Sequence, residues 1–162
     1  MDVWSGRALY QEADAPLPAI LATLPRTQLH QPVGQAALAA ALRGAAFLAY
    51  PAIVPETGCI VALEAMAAGL KVVSTTIGAL PQTCMGFADL MPLEDGMTRA
   101  AMAARFTLLI ERNVADFLER RREWAEERFA QSREIVRHCN WAARAQEWEV
   151  FLAPAVAWKR GT

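Results

Sequence analysis

The chain has 162 residues, of which 54% are hydrophobic and 20% are charged, a composition that supplies a sizeable core and excludes a disordered protein. Its 16 basic and 17 acidic residues leave a net charge of −1, which excludes long-range attraction to nucleic acid or to an anionic membrane. The three cysteines have no metal-site spacing and the N-terminus has no secretory signal, so we expect a cytoplasmic protein.

Short apolar runs before residue 96 alternate between the periodicities of strands and helices. The predicted strands cover residues 3–9, 28–33, 45–50, 71–74 and 88–91, and the predicted helices cover residues 15–24, 35–43 and 57–68. Gly44 and Gly69 are placed to end the second and third of these helices. The alternation is typical of βαβ units, so the sequence predicts an α/β fold with a parallel sheet.

The chain changes character at residue 96, where strand patterns end and charges appear in helical register. Apolar side chains then recur at helical steps and predict one face of a single long helix. That face comprises Val114, Phe117, Leu118, Trp124, Ala125, Ser132, Ile135, Val136 and Cys139, opposite Arg120, Arg121, Arg122, Glu126, Glu127, Arg133 and Glu134. Asn140 is placed to cap a final helix over residues 141–152. Without a linker between them, the sheet part (residues 1–95) and the helical tail (residues 96–162) are expected to form one domain.

Residues 33–55 are long enough to cross a bilayer and carry a single charge, Arg43. An arginine near the middle of a membrane span costs about 2.5–3.5 kcal/mol on insertion scales. A buried helix followed by a buried strand explains the run more simply, so the sequence predicts no transmembrane segment.

Residues 51–83 carry the pattern that points to chemistry. A buried strand ends at Tyr50, and the next helix is predicted to begin near Thr57. Ligands of open α/β sheets bind outside the carboxyl ends of the strands, where such helices begin. The free N–H groups at that helix start are expected to receive a diphosphate, aided by the helix dipole. The residues that would offer these groups are Thr57, Gly58, Cys59 and Ile60.

Two glutamates, Glu56 and Glu64, flank these amides. Eight residues of helix span roughly 12 Å, about the distance between the sugar and the ribose of a nucleotide sugar. Carboxylates that far apart suit hydrogen bonds to two separate sets of hydroxyls and are too distant to act as an acid/base pair at one bond. No catalytic residue is therefore assigned within this chain.

The two glutamates, the following AMAAG sequence and the Val72-Val73 strand resemble the signature of family-4 retaining glycosyltransferases of group 1. The later Gly78-Ala79-Leu80-Pro81 is similar to the loop that follows that strand in the family. Further similarities are Tyr50-Pro51, Gly86-Phe87 and Trp141-Ala142-Ala143-Arg144-Ala145.

The resemblance implies a GT-B fold of two Rossmann-like, three-layer domains, of which this chain would be the C-terminal, donor-binding one. Glu56 would hold hydroxyls of the transferred sugar, residues 57–60 the diphosphate, and Glu64 the ribose. His30, Gln31 and Gln35 occupy the region where the family usually holds the base. The donor would be a UDP- or GDP-linked sugar, the transfer of hexosyltransferase type, and no metal or other cofactor is implied.

The sequence departs from the family pattern in two places. Gln82 stands where the family usually has a glutamate. The basic residues that usually neutralise the diphosphate would lie before Met1, as would the acceptor domain, and Arg7 is the candidate for a replacement cation. We therefore expect weak donor binding and no turnover from this chain alone.

Simpler interpretations stay open for single residues. Glu64 alone could be a solvated glutamate, and Glu56 could merely complement the helix dipole. Cys59 is expected to be a small buried side chain rather than a nucleophile, and His30 and His138 to be structural. At the level of function, the alternatives are a non-catalytic interaction module with a vestigial nucleotide site, or a fragment of a sugar-nucleotide epimerase.

Overall fold

The computed structural model describes residues 2–4, 19–20 and 23–160, and the chain divides into two units, Met1–Ala40 and Ala41–Thr162. The first unit contains a parallel pair of strands, β1 (Asp2–Trp4) and β2 (Gln28–His30). Strand β2 lies within the predicted strand 28–33, and β1 begins one residue before the predicted strand 3–9. Residues 5–9 of the first predicted strand, and residues 15–18 and 21–22 of the first predicted helix, lie outside the described residues.

Helix α1 spans Gln35–Arg43, as predicted. The N–H of Gly44 bonds to the carbonyl of Ala41 at 3.0 Å and closes the helix. The first strand of the second unit, β3, follows at Phe47–Ala49.

The second unit is built on a parallel sheet of three strands in the order β3–β4–β5, with β4 at Lys71–Thr75 and β5 at Asp89–Met91. The central strand β4 is buried because Val72 and Val73 are fully enclosed, as expected for a strand covered on both faces. Val73 packs with Met91 and Phe106 on one side of the sheet. Consecutive strand residues face opposite sides, so Val72 faces the other layer. The predicted parallel α/β sheet is confirmed.

Helix α2 spans Ile60–Ala67 and packs against β3 and β4. It begins three residues later than the predicted start at Thr57, because Cys59 takes the extended conformation of an N-cap residue (φ −103°, ψ 91°). Gly69, at φ +88°, follows the helix in the left-handed conformation expected of a glycine at this position. The short helix α3 (Leu80–Cys84) lies within residues 77–86, where only turns were predicted.

The prediction of one long helix after residue 113 is wrong. The structure contains two helices, α4 (Arg99–Glu119) and α5 (Arg121–His138), which meet at Arg120. The Arg120 backbone (φ −120°, ψ 42°) interrupts the helix, and its side chain pairs with Asp116 and Glu127 on either side, both at 3.0 Å. The predicted apolar face is consequently divided between the two helices. Trp124 and Ile135 are buried as predicted, but Leu118 and Val136 are each 55% exposed.

Helix α5 is tied to the C-terminal end of α2 by side chains that donate to backbone carbonyls at and just after that end. Gln131 Nε2 donates to the carbonyls of Met66 (3.0 Å) and Leu70 (2.9 Å). Ser132 Oγ donates to the carbonyl of Ala67 at 2.6 Å. These three bonds fix α5 along the C-terminal end of α2.

The last helix, α6, spans Trp141–Arg160 and is capped by Asn140, as predicted. Asn140 Oδ1 accepts the N–H of Ala143 at 2.9 Å. The helix continues eight residues beyond the predicted end at residue 152, with Pro154 inside it. None of the helices in the described part of the chain has the length and apolarity needed to cross a membrane.

Candidate functional site

A cleft of about 630 Å³ opens at the carboxyl ends of β3 and β4, where the sequence places the ligand. Three segments line it: the loop into α2, the region of α3, and the junction of α5 with α6. The lining residues are Thr57, Gly58, Cys59, Ile60, Leu63, Gln82, Thr83, Met85, His138, Cys139 and Arg144. The four residues predicted to offer amides to a diphosphate therefore all border one cleft.

The loop between β3 and α2 is held by polar side chains of the central strand. Ser74 Oγ donates to the carbonyl of Tyr50 at 2.6 Å, and Thr75 Oγ1 donates to the carbonyl of Ala52 at 2.8 Å. Both side chains are fully buried, so these bonds also satisfy hydroxyl groups that would otherwise be unpaired in the core. The loop thereby leaves the sheet in a fixed direction.

Glu56 is held from two sides at the end of this loop. The hydroxyl of Tyr50 donates to its Oε1, and its backbone carbonyl accepts the N–H of Ala79 at 2.8 Å. Gly78 lies against the same backbone with φ +59°, and a Cβ atom on Gly78 would be 2.5 Å from the Glu56 nitrogen. The turn of Gly78 and Ala79 therefore acts as a support for Glu56, a role that requires glycine at residue 78.

The four residues at this side of the cleft belong partly to a loop and partly to a helix. Because α2 begins at Ile60, the N–H groups of Thr57, Gly58 and Cys59 belong to the loop and its cap rather than to the first helical turn. The N–H groups of these residues and of Ile60 donate to no acceptor in the described part of the chain. A Cβ on Gly58 would meet nothing within 4 Å, so its backbone is open to a ligand.

Cys59 is buried at the base of this loop, as predicted for a small core side chain. Burial raises the pKa of its thiol to about 11. A hydrogen bond from the backbone N–H of Ala62 lowers this pKa, and the nearby carboxylate of Glu56 raises it further. Burial also raises the pKa of the Cys84 thiol to about 11. Both thiols are therefore protonated at neutral pH, which is unfavourable for a nucleophile.

The two glutamates do not themselves line the cleft. Glu56 immediately precedes the lining residue Thr57 and is half-buried. Glu64 lies on α2 next to the lining residue Leu63, also half-buried, and its backbone carbonyl accepts the N–H of Ala68 at 3.0 Å. Contact of either carboxylate with a sugar ring stays a prediction.

The residues predicted to hold the base belong to the first unit. His30 ends β2, Gln31 follows it, and Gln35 is the first residue of α1. Their role stays a prediction, and Arg7, the candidate cation, lies outside the described residues.

Seven cleft residues were not predicted to belong to the site: Leu63 on α2 and six residues on other segments. Gln82, Thr83 and Met85 belong to α3 and its end. In this region the sequence comparison singled out only Gln82, which stands where the family usually has a glutamate. His138, Cys139 and Arg144 come from the helical tail, to which the sequence assigned no site residue. Cys139 Sγ lies 3.9 Å from Met85 Sδ and joins the two walls.

The lining of the cleft carries few charged side chains. Its lining contains no aspartate or glutamate among the described residues, and Arg144 is its one lysine or arginine there. Nowhere in the described chain do three His, Cys, Asp or Glu side chains come together as a metal site would require. The arrangement suits an anion bound by backbone amides and a guanidinium.

A second polar cluster lies at the amino ends of β4 and β5, away from the cleft residues. Lys71 pairs with Asp89 at 3.0 Å, and Arg112 pairs with the same carboxylate at 3.3 Å. Burial would raise the pKa of Asp89, but hydrogen bonds from Lys71 and Asn113 outweigh it and leave the pKa below its usual value. This cluster joins the two strands to α4, a structural role.

Comparisons with known proteins agree with this architecture. A family model described as "Glycosyl transferases group 1" matches residues 7–112. A solved structure described as "Crystal structure of GtfA/B complex" is similar over 94% of this chain, with a TM-score of 0.66 and 15% identity. The chain covers 29% of the length of that structure's chain, and no curated protein matches the sequence. The structural similarity confirms the predicted Rossmann-like fold.

Proposed function

We propose that this chain, which belongs to the glycosyl transferases of group 1, is the donor-binding part of a retaining transferase and binds a UDP- or GDP-linked sugar. The observation that carries the proposal is that residues 57–60 line one cleft and that their N–H groups have no hydrogen-bond partner among the described residues. These groups, next to the start of α2, suit the charge of a diphosphate. The same amides would stabilise the diphosphate as it gains charge on leaving the sugar.

Glu56 would then hold hydroxyls of the transferred hexose. Its carboxylate already accepts a hydrogen bond from Tyr50, and its backbone is fixed by the turn at Gly78. A carboxylate held in this way loses little conformational freedom when it binds a sugar hydroxyl. Glu56 is one residue before the amides, which suits a sugar bonded directly to the diphosphate.

Glu64 would bind the ribose. Glu64 is half-buried on α2, one turn after Ile60 at the cleft.

Transfer to an acceptor would need a second domain, because the chain covers only part of the similar solved structure. We therefore propose that this chain binds the donor and has no turnover alone. We also propose that the reaction requires no metal or other cofactor and takes place in the cytoplasm.

A non-catalytic interaction module is the second candidate, and the surface of α6 favours it. Trp141 is 90% exposed, Trp148 60% and Phe151 73%. Exposed aromatic side chains on one helix are typical of a surface that binds another protein. Such a module would bind a partner and show no response to nucleotides.

Titration calorimetry with UDP- and GDP-sugars separates the two candidates. The transferase proposal predicts saturable binding of one of them and weaker binding by a Glu64→Ala variant. Unchanged affinity of that variant would remove the ribose assignment but leave the diphosphate site. Absence of any binding, together with a helix-mediated oligomer in light scattering, would favour the interaction module.

A further inference from the structure

We infer that Arg144 is a binding residue for the diphosphate, with its guanidinium donating to the phosphate oxygens from a different segment of the cleft lining than residues 57–60. The inference rests on the proposed function and adds the residue that supplies the positive charge. The sequence leaves that charge without an identified source among the described residues, since Arg7 lies outside them.

The path of α5 brings Arg144 to the cleft. Gln131 holds the C-terminal end of α2 through the carbonyls of Met66 and Leu70. Seven residues further along α5, about 10 Å at the helical rise, His138 lines the cleft beside the start of α2. The two helices therefore run in opposite directions, and α5 ends where the amides lie.

The chain then turns so that Arg144 falls in the first turns of α6. Asn140 Oδ1 accepts the N–H of Ala143, and the Asn140 carbonyl accepts the N–H of Arg144 at 3.1 Å. The cap fixes the direction of α6, and Arg144 lines the same cleft as Gly58 and Ile60.

The Arg144 guanidinium is held in place by contacts of one of its three nitrogens. Its Nη2 donates to the carbonyl of His138 at 2.8 Å and lies 2.7 Å from Glu147 Oε1. Both contacts involve the same nitrogen, so Nε and Nη1 have no partner among the described residues. An arginine with two free N–H-bearing nitrogens is suited to paired hydrogen bonds with phosphate oxygens. The side chain is 46% exposed and is therefore accessible to a ligand.

The rest of the cleft favours an anion over a neutral ligand. No carboxylate lines it in the described chain, and its volume of about 630 Å³ falls within the usual range of ligand pockets. Residues 57–60, whose N–H groups have no partner in the described part of the chain, form one wall of the cleft, and Arg144 belongs to another. A diphosphate has acceptor oxygens on two phosphorus atoms and can be bound from both walls.

Calorimetry on the full chain tests the assignment with UDP, GDP and inorganic pyrophosphate as probes. Arg144→Met should weaken binding of the nucleoside diphosphate and of pyrophosphate by about 10- to 100-fold, since it removes hydrogen bonds to a charged group. Arg144→Lys should recover part of the affinity because it keeps the charge without the paired geometry. Arg137→Met is the matched control, because Arg137 is exposed near the end of α5 but does not line the cleft.

A second readout separates a binding role from a structural one. Wild-type affinity should fall steeply as sodium chloride is raised, and Arg144→Met should show a shallower dependence at an unchanged melting temperature. Diphosphate binding that is equal in Arg144→Met and wild type would overturn the role of Arg144 and leave the proposed function intact. Failure of the wild-type chain to bind any of the three probes would overturn both.

Discussion

Gly78 and Glu56 approach so closely that residue 78 has no room for a side chain. A Cβ atom on Gly78 would lie 2.5 Å from the backbone nitrogen of Glu56 and 2.6 Å from its backbone oxygen. Gly78 also has φ +59°, which residues with a side chain rarely adopt. The loop after β4 thus fixes the backbone of Glu56, the residue just before the cleft residue Thr57. This contact is a physical reason for glycine at residue 78, within the segment that resembles the family.

Replacement of Gly78 by alanine should destabilise the protein and displace Glu56. We expect a loss of about 2–4 kcal/mol in the free energy of unfolding, from backbone strain and from a clash with atoms that cannot move aside. Urea denaturation measures this directly. Gly86→Ala is the matched control, because Gly86 has φ +82° but open space around it, and should cost only about 1–2 kcal/mol. Equal losses in the two variants would show that the contact with Glu56 is unimportant.

Replacement of Tyr50 by phenylalanine should weaken binding of the sugar part of the donor. The change removes the hydroxyl that donates to Glu56 Oε1 and leaves the carboxylate less firmly held. We expect about 3- to 10-fold weaker binding of the nucleotide sugar and unchanged binding of the nucleoside diphosphate. The comparison of UDP-sugar with UDP, or of the GDP pair, in calorimetry measures this difference. A parallel loss for both ligands would mean that Tyr50 supports the loop as a whole and not Glu56 alone.

The stability of the chain should decrease at alkaline pH because of its two buried thiols. Burial raises the pKa of Cys59 and of Cys84 from 9.0 to about 11 in the folded protein. The unfolded state therefore loses its thiol protons first, and stability that is fully present below pH 9 is lost as the pH rises towards 11. Urea denaturation between pH 8 and 11 should show a steeper decline for wild type than for a Cys59→Ala, Cys84→Ala double variant. Identical slopes would contradict the raised pKa values.

The sheet of the second unit could be predicted from the sequence because its signals are local. Strands β3, β4 and β5 begin and end within two residues of their predicted bounds. The buried valines of β4 favour a strand at their own position. The glycines that follow α1 and α2 end the helices directly before them. The start of α2 was harder to predict, because the N-cap residue Cys59 has no side chain that caps a helix by a hydrogen bond.

The helical tail shows what local patterns do not contain. The break at Arg120 involves no proline or glycine, and it is stabilised by ion pairs with Asp116 and Glu127. The cleft wall formed by His138 and Arg144 depends on the packing of α5 along α2, which Gln131 directs over more than sixty residues of sequence. Helical periodicity places residues on a face but does not say which distant segment that face meets.

The most direct test of the diphosphate site is the response of individual amides to a ligand. In two-dimensional 1H–15N NMR spectra of the chain, titration with the UDP or GDP that it binds should shift the signals of Thr57, Gly58, Cys59 and Ile60 together. The same titration with uridine or guanosine, which lack the diphosphate, should leave these four signals nearly unchanged. If the diphosphate instead binds while these amides stay in place and signals elsewhere move, the account of this cleft is wrong.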